Sequence, residues 1–504
     1  LLFQPRLQVL PVNLFDSIVA AFNPVAGLRR SIARKLLDQK RGFEGADRGR
    51  RTAGWHTMST DSNAEIRKGQ RLLRDRARDM RRNNPYAERG ISAIAANVVG
   101  YGIVPDPQGR ARQKKRALAL WKRWAETPVC DHDGMMNFYG MQHMVMNSIP
   151  ESGEVLIRRV WTPGKNILNF QLQVMEADHL DNSRDHVMPD GSRVVDGIAY
   201  NVTGHKTGYW VYPQHPGDGS RQLMTLHESV FVPTEDMRLI YLPKRPGQMR
   251  GYTWLAPVML RMRNFDEMED AVIEQAKIAA CFAAFVHSDD SGTPGPAVAA
   301  DPRDLLDRVE PGIIERLGPN ENITFGTPPT FNGYEAYSKQ SLRATSVGLG
   351  VPYEVLTGDL NGVSFTSGRM GWLEFGRNID IWRWQMLVPQ LCDTVWAWFN
   401  EGAALSAEGF AEPIAASWVA PRRDLIDPTK ELEAYKEEMR LGGLSYTGML
   451  KERGINDTEA HIEQIRQDNE ALDAAGLIFT GDPRMVAEAG AGTAPAVAPP
   501  ENTA

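Results

Sequence analysis

Apolar positions recur every three to four residues between Ser62 and Val99, and Asn83-Asn84-Pro85 interrupts them. That pattern predicts two consecutive helices with a stop and a restart at the proline. The second apolar face, Ile91, Ile94, Ala95 and Val98, ends at Gly100 and Gly102, residues suited to a helix C-terminus. Upstream, residues 12–40 read as one or two amphipathic helices broken at Pro24, and 41–54 as a polar linker. From 153 to 242 the period changes to short runs such as GEVLIRRVW (153–161), NFQLQVME (169–176), TGYWVYP (207–213) and MRLIYLP (237–243). Gly, Pro, Asn and Asp separate these runs, which predicts a β-meander. A stretch without breakers then extends from Trp254 to His287, with Pro257 in its first turn, and predicts one helix of about 45 Å. After SGTPGP (291–296) and a small α/β excursion, a helix is expected over 334–349, stopping before Pro352. The loop TGDLNGVSFTSG (357–368) leads into a long helix over 369–400, where Pro389 predicts a kink. Two or three acidic helices are expected in 428–476, and an Ala/Pro/Gly tail in 487–504 is expected to be disordered. The fold class is α+β.

The 504 residues are 42% hydrophobic and 24% charged, so a substantial core forms, and the length suggests about three domains. No apolar run reaches the 18 residues that a membrane crossing requires; IAACFAAFV (278–286) is half that. Arg6 interrupts the apolar opening residues with no basic segment before them, so a secretory leader is not expected. Cys130, Cys281 and Cys392 are far apart and lack CxxC spacing, which excludes a disulfide framework or a cysteine zinc site. Charge is divided unevenly. Residues 1–124 carry 26 Lys/Arg against 10 Asp/Glu, and the remainder 31 against 53. A basic quarter suits nucleic acid or an acidic protein surface, but RLLRDRARDMRR (71–82) also reads as a solvated helix with internal ion pairs.

Catalytic motifs are scarce. The chain has no GxxxxGK[ST], GxSxG or HExxH, which disfavours a P-loop ATPase, the common hydrolase elbow and a zincin. Glu176, Asp178, His179 and Asp181 form the best metal-like cluster, the core of a metal-dependent hydrolase reading. The cluster follows a predicted strand, however, and its residues suit a turn better. Asp131, His132 and Asp133 beside Gly134 favour a turn for the same reason. Ser364 and Ser367 lack a nearby acid–base partner. Five of the twelve Trp lie within 372–398, a density that indicates packing rather than a ligand cage.

Taken in order, several segments resemble the lambda-type portal proteins of tailed bacteriophages and prophages. They are NNPYAERGISAIAANVVGYGIVP (83–105), FYGMQHMVMNSIPESGEVLIRR (138–159), QLQVMEADHLD (171–181), YPQHPGD (212–218), the run from RPGQMRGYTWLAP to AACFAAFV (245–286) and LRATSVGLGVPYEVLTGDLNGVSFTSGR (342–369). The resemblance implies a ring of probably twelve subunits at one capsid vertex. Double-stranded DNA enters through the ring, driven by the terminase large subunit, and later leaves the same way. The other implied partners are major capsid, scaffold and head-completion proteins; no enzyme activity, cofactor or membrane is implied. Laid on this plan, residues 1–60 are a basic arm, 61–252 the wing, 253–288 and 334–350 the stem helices and 289–333 the clip. Residues 351–368 are the channel loop, 369–421 a long kinked helix between wing and crown, 422–486 the crown helices and 487–504 the tail. Asp359, Asn361, Val363, Ser364, Phe365, Thr366 and Ser367 are candidates for weak DNA contacts, with Phe365 also a candidate anchor to neighbouring subunits. Asp266, Glu267, Glu269, Asp270 and Glu274 are candidates for an acidic channel face that repels phosphate and lets DNA slide. The alternatives are the metal-dependent hydrolase and a monomeric nucleic-acid-binding module using residues 29–89.

Overall fold

The computed structural model describes residues 59–218, 228–280, 285–288, 321–324, 333–422 and 428–477 apart from 454 and 456, with isolated positions nearer the N-terminus. The helices expected over 12–40, most of the clip and the tail lie outside the described residues. Helices α1 (Ser62–Asn83) and α2 (Pro85–Val99) meet at Asn84. The Asn84 side chain accepts hydrogen bonds from the backbone N–H groups of Tyr86 and Ala87, capping the helix that Pro85 begins. The apolar face of α2 is buried throughout, and Gly100 and Gly102 take the positive φ angles that end it.

Strand β1 (Val104–Pro107) and helices α3 (Ala111–Ala125) and α4 (Phe138–Ser152) follow. Next come the strands β2 (Glu154–Trp161) and β3 (Phe170–Glu176), then β4 (His186–Val187), β5 (Arg193–Val195), β6 (Ile198–Tyr200), β7 (Lys206–Val211), β8 (Val230–Pro233) and β9 (Met237–Tyr241). All pair antiparallel, β2 lying between β3 and β9, while β4 to β8 form a five-stranded meander. Alternation along β2 divides the core in two. Val155 and Ile157 face the helices, and Leu156 joins Met175, Leu239 and Tyr241 against Ile198, Tyr209 and Val232 of the meander.

Helix α5 (Met259–Ala280) is shorter than the sequence predicts. Turns occupy 254–258, and Phe285–Ser288 forms strand β10, paired with β11 (Glu321–Thr324). Phe285 and Val286 are strand formers, and a short apolar run after a helix does not by itself distinguish continuation from a strand. Helix α6 (Tyr334–Leu349) ends at Gly350, in the left-handed conformation. A short α7 (Tyr353–Thr357) precedes α8 (Phe365–Trp382). Around Pro389, where a kink is expected, the helix widens into a run of π turns, Arg383–Cys392, continuing into α9 (Asp393–Leu405). The wider register accommodates a residue that has no N–H to donate.

Strand β12 (Ala416–Val419) pairs with β1, and α10 (Pro428–Arg440), α11 (Tyr446–Glu452) and α12 (Thr458–Ala475) complete the chain. An aromatic cluster joins these parts. The Trp121 ring lies 5.1–6.3 Å from Phe399, Trp396, Phe138, Trp124 and Trp418. Trp382, Trp396 and Trp398 are buried, whereas Trp384 is 46% exposed.

The sequence did not reveal the charged centre beneath β2. The Glu154 side chain is fully buried and accepts bonds from both Nε and Nη2 of Arg250, from Arg74, from Gln70 and from the Gly251 amide, all at 2.5–3.1 Å. Arg74 and Arg250 are themselves buried. Gly153 and Gly251 allow the close approach: a Cβ on Gly153 would lie 2.2 Å from the Tyr252 carbonyl carbon. We expect Glu154→Gln to destabilise the protein by about 3–5 kcal/mol, because it leaves the buried Arg250 guanidinium without its carboxylate, Arg74 keeping only Asp178. Urea unfolding should show this as a lower midpoint with the m-value unchanged.

Candidate functional site

Two regions carry the chemistry that the sequence singles out, the loop before α8 and the charged turn after β3. In the first, Gly358 and Gly362 adopt φ near +75° (+74° and +76°). The Asp359 carboxylate accepts from the Asn361 amide at 3.0 Å and from the Tyr353 hydroxyl at 3.3 Å. The amide bond holds this carboxyl below its ordinary range. Ser364 then caps α8 by accepting from the Ser367 amide at 3.2 Å, while the Ser367 hydroxyl accepts from the Ser364 amide at 3.1 Å. The loop therefore closes at Ser364, earlier than expected. Phe365, Thr366 and Ser367 form the first turn of α8, because Ser-x-x-Ser supplies a reciprocal cap that the sequence reading overlooked. Leu360 and Phe365 remain largely exposed.

The five acidic residues of α5 have different local roles. Asp266 accepts from the Asn84 amide at 2.8 and 3.0 Å, tying α5 to the start of α2. Glu269 accepts from the Tyr334 hydroxyl of α6 at 2.8 Å. Glu267 pairs with Arg263, and Glu274 with Lys277, while Asp270 is exposed. Part of the anticipated acidic face thus serves helix packing and local ion pairs.

At the charged turn, Asp178 bridges Arg74 and Arg78, and Glu176 meets Arg78 and His215. Burial alone would push the Asp178 carboxyl up; the two guanidiniums reverse this and hold it below its ordinary range. His179 contacts the Tyr212 carbonyl oxygen through Nδ1 at 2.8 Å, and burial holds its pKa down. Asp181 accepts from the hydroxyls of Ser183, Ser229 and Tyr212 at 2.5–2.8 Å. Glu176 and Asp178 thus share Arg78, whereas His179 and Asp181 turn to other partners. Glu176, Asp178 and His215 do come within metal-ligand reach of one another, but two arginines share that space and disfavour a cation. Asp131 likewise builds a turn, accepting from the amides of Asp133, Met135 and Met136.

The model of the lambda family of phage portal proteins matches residues 48–383. The chain belongs to that family. It is 27% identical over 474 residues to the probable portal protein of Halomonas phage phiHAP-1, covering 88% of this chain and 89% of that one. Portal protein B of Escherichia phage lambda is 24% identical over 450 residues, covering 80% and 84%. Among solved structures, a chain from the virion of a native gene transfer agent particle aligns over 76% of this chain and 93% of its own, at 14% identity and a TM-score of 0.43. An HK97 family phage portal protein from Corynebacterium diphtheriae aligns over 71% and 97%, at 11% identity and a TM-score of 0.32. As a phage portal protein, the chain is a virion component of the head–tail vertex, and the hydrolase reading finds no support. No described helix is long and apolar enough to cross a membrane.

The carboxylates after β3 lie within a segment that carries the family resemblance, and the arginines of α1 within the residues the family model matches; together they join α1 to the sheets. Burial raises the Asp181 carboxyl, but the hydroxyl bonds overcome that and lower it to about 2. Its stabilising contribution is thus complete above the unfolded-state pKa near 4 and is lost as pH falls through about 2. We expect the urea midpoint of the wild type to drop between about pH 4 and pH 2, and Asp181→Asn to flatten that drop.

Proposed function

We propose that copies of this chain, probably twelve, close into a ring through which double-stranded DNA enters the capsid and later leaves. The observation that carries this reading is membership of the portal family across residues 48–383. The terminase large subunit would dock on one end during packaging, and head-completion proteins would later replace it. Capsid and scaffold proteins would surround the wing, residues 61–252. The role needs no catalytic group.

Exposed apolar residues support assembly. Leu260 and Ile273 on α5 and Val347 on α6 are 70%, 52% and 81% exposed in a single copy. Helices that leave such residues in water gain stability when neighbouring copies cover them. On this reading α5 and α6 are the stem, and the segment between them, including β10 and β11, is the clip. Helices α10 to α12 form the crown. Asp270 of α5 is exposed, and Glu267 and Glu274, each shared with a neighbouring cation, add less; together they would make this face of the lumen weakly repulsive to phosphate, so that DNA slides rather than sticks.

The loop 358–364 would project toward the axis. Asn361 and Val363 offer weak contacts, Asp359 a repulsive one, and the Ser364 cap fixes the angle at which the loop leaves α8. Contacts this weak exchange readily and suit a conduit that holds DNA without gripping it. Replacing residues 359–363 with a Gly/Ser linker, while keeping the Ser364 cap, should leave rings and procapsids intact. Full-length DNA protected from nuclease in packaged particles should fall several-fold. Wild-type retention would exclude the loop from DNA handling, and loss of rings would make it a subunit contact instead.

A further inference from the structure

Among the described residues of the first 124 positions, most basic side chains lie on α1 and α3. On α1, Arg67, Arg74, Arg78 and Arg81 are paired with acidic residues, chiefly of the β-rich region. On α3, Arg123 pairs with the Glu408 carboxylate, and Arg116 donates to the Glu408 backbone carbonyl. The other five cations, Arg110, Arg112, Lys114, Lys115 and Lys122, have no ion-pair partner among the described residues. Arg112, Lys115 and Lys122 are exposed. Their spacing puts them on one face of α3, along about 15 Å of helix axis. The opposite face buries Ala117, Leu120, Trp121 and Trp124.

Ion pairing within one subunit does not account for these charges; Lys122 alone, in the last turn, complements the helix dipole. The first turn of α3 contains no acidic residue, and cations there oppose the positive end of the helix dipole and repel one another. Two carboxylates line the groove beside Lys115 and Lys122, those of Glu126 and Asp457. Asp457 caps the Ala460 amide at 2.9 Å, and Glu126 accepts from the Tyr139 hydroxyl at 3.5 Å. A line of unpaired cations on a rigid helix fits a line of anions.

We propose that the exposed face of α3 binds the phosphate backbone of double-stranded DNA, at a site made of residues other than the loop 358–364. An acidic protein helix is the poorer match. The chain's own acidic helix α12 illustrates this, since its Glu463 and Glu470 are already held by Arg466. A duplex presents evenly spaced phosphates and releases counterions when it binds, which suits cations left without an ion pair among the described residues.

The test uses purified full-length protein and closed circular duplex DNA, which cannot thread a closed ring. Affinity is measured between 50 and 200 mM salt, a range over which about three phosphate contacts should be evident. Arg112→Gln/Lys115→Gln/Lys122→Gln should weaken binding about tenfold or more and lower the log–log salt slope by about 2–3. The thermal midpoint should change little, because relief of repulsion at Arg112 and Lys115 offsets the loss of the Lys122 dipole contact. Lys115→Arg/Lys122→Arg, which keeps the charge, should retain wild-type affinity. Poly-glutamate at equal charge should displace the plasmid much less effectively than duplex competitor. Unchanged affinity and slope in the triple variant, or displacement by poly-glutamate as efficient as by duplex, would overturn the proposal. A loop replacement that leaves plasmid binding intact supports it, whatever that variant does to DNA retention in particles.

Discussion

The buried carboxylate of Glu154 is the point on which the described structure turns. It is held between Arg250 and Arg74, one arginine from the segment after β9 and the other from α1. A lone carboxylate there would cost several kcal/mol to desolvate, and so would either guanidinium. Together, with the Gln70 and Gly251 bonds, their charges and polar atoms are satisfied in one place. The geometry also explains the local backbone. Gly153 and Gly251 pass so closely that any side chain would collide. Around this centre Asp178 and Arg78 extend the same ion-pair chemistry outward. Arg67, Arg74 and Arg78 of the basic first quarter are thus engaged in an internal attraction that fastens α1 to the β-rich region.

Elements with strong local signals were legible in the sequence. Asn84-Pro85 marked the junction of α1 and α2, and alternation marked the strands, because capping and pleat act over a few residues. The start of α8 was missed because Ser364 and Ser367 cap each other without the usual Glu or Gln. The end of α5 was misread because a short apolar run after a helix does not distinguish continuation from a strand until β11 pairs with it. Long-range pairing cannot be read from spacing. For the same reason the Glu154 centre went unseen, its partners lying 80 and 96 positions away. The 176–181 cluster was recognisable only as a turn with polar ends; which arginines it would meet depended on where α1 docks.

The functional account joins family membership to two exposures. Apolar residues on α5 and α6 lie open in a single copy, and so does Leu360 in the loop before α8. Both make sense if copies surround an axis. The measurement that tests this most directly is the mass and projected shape of the purified full-length protein at micromolar concentration. Mass photometry with averaged electron micrographs should reveal closed rings near twelve times the 56.2 kDa chain mass, with a hole on the axis. A stable monomer, or an open filament without an axial hole, would contradict the account.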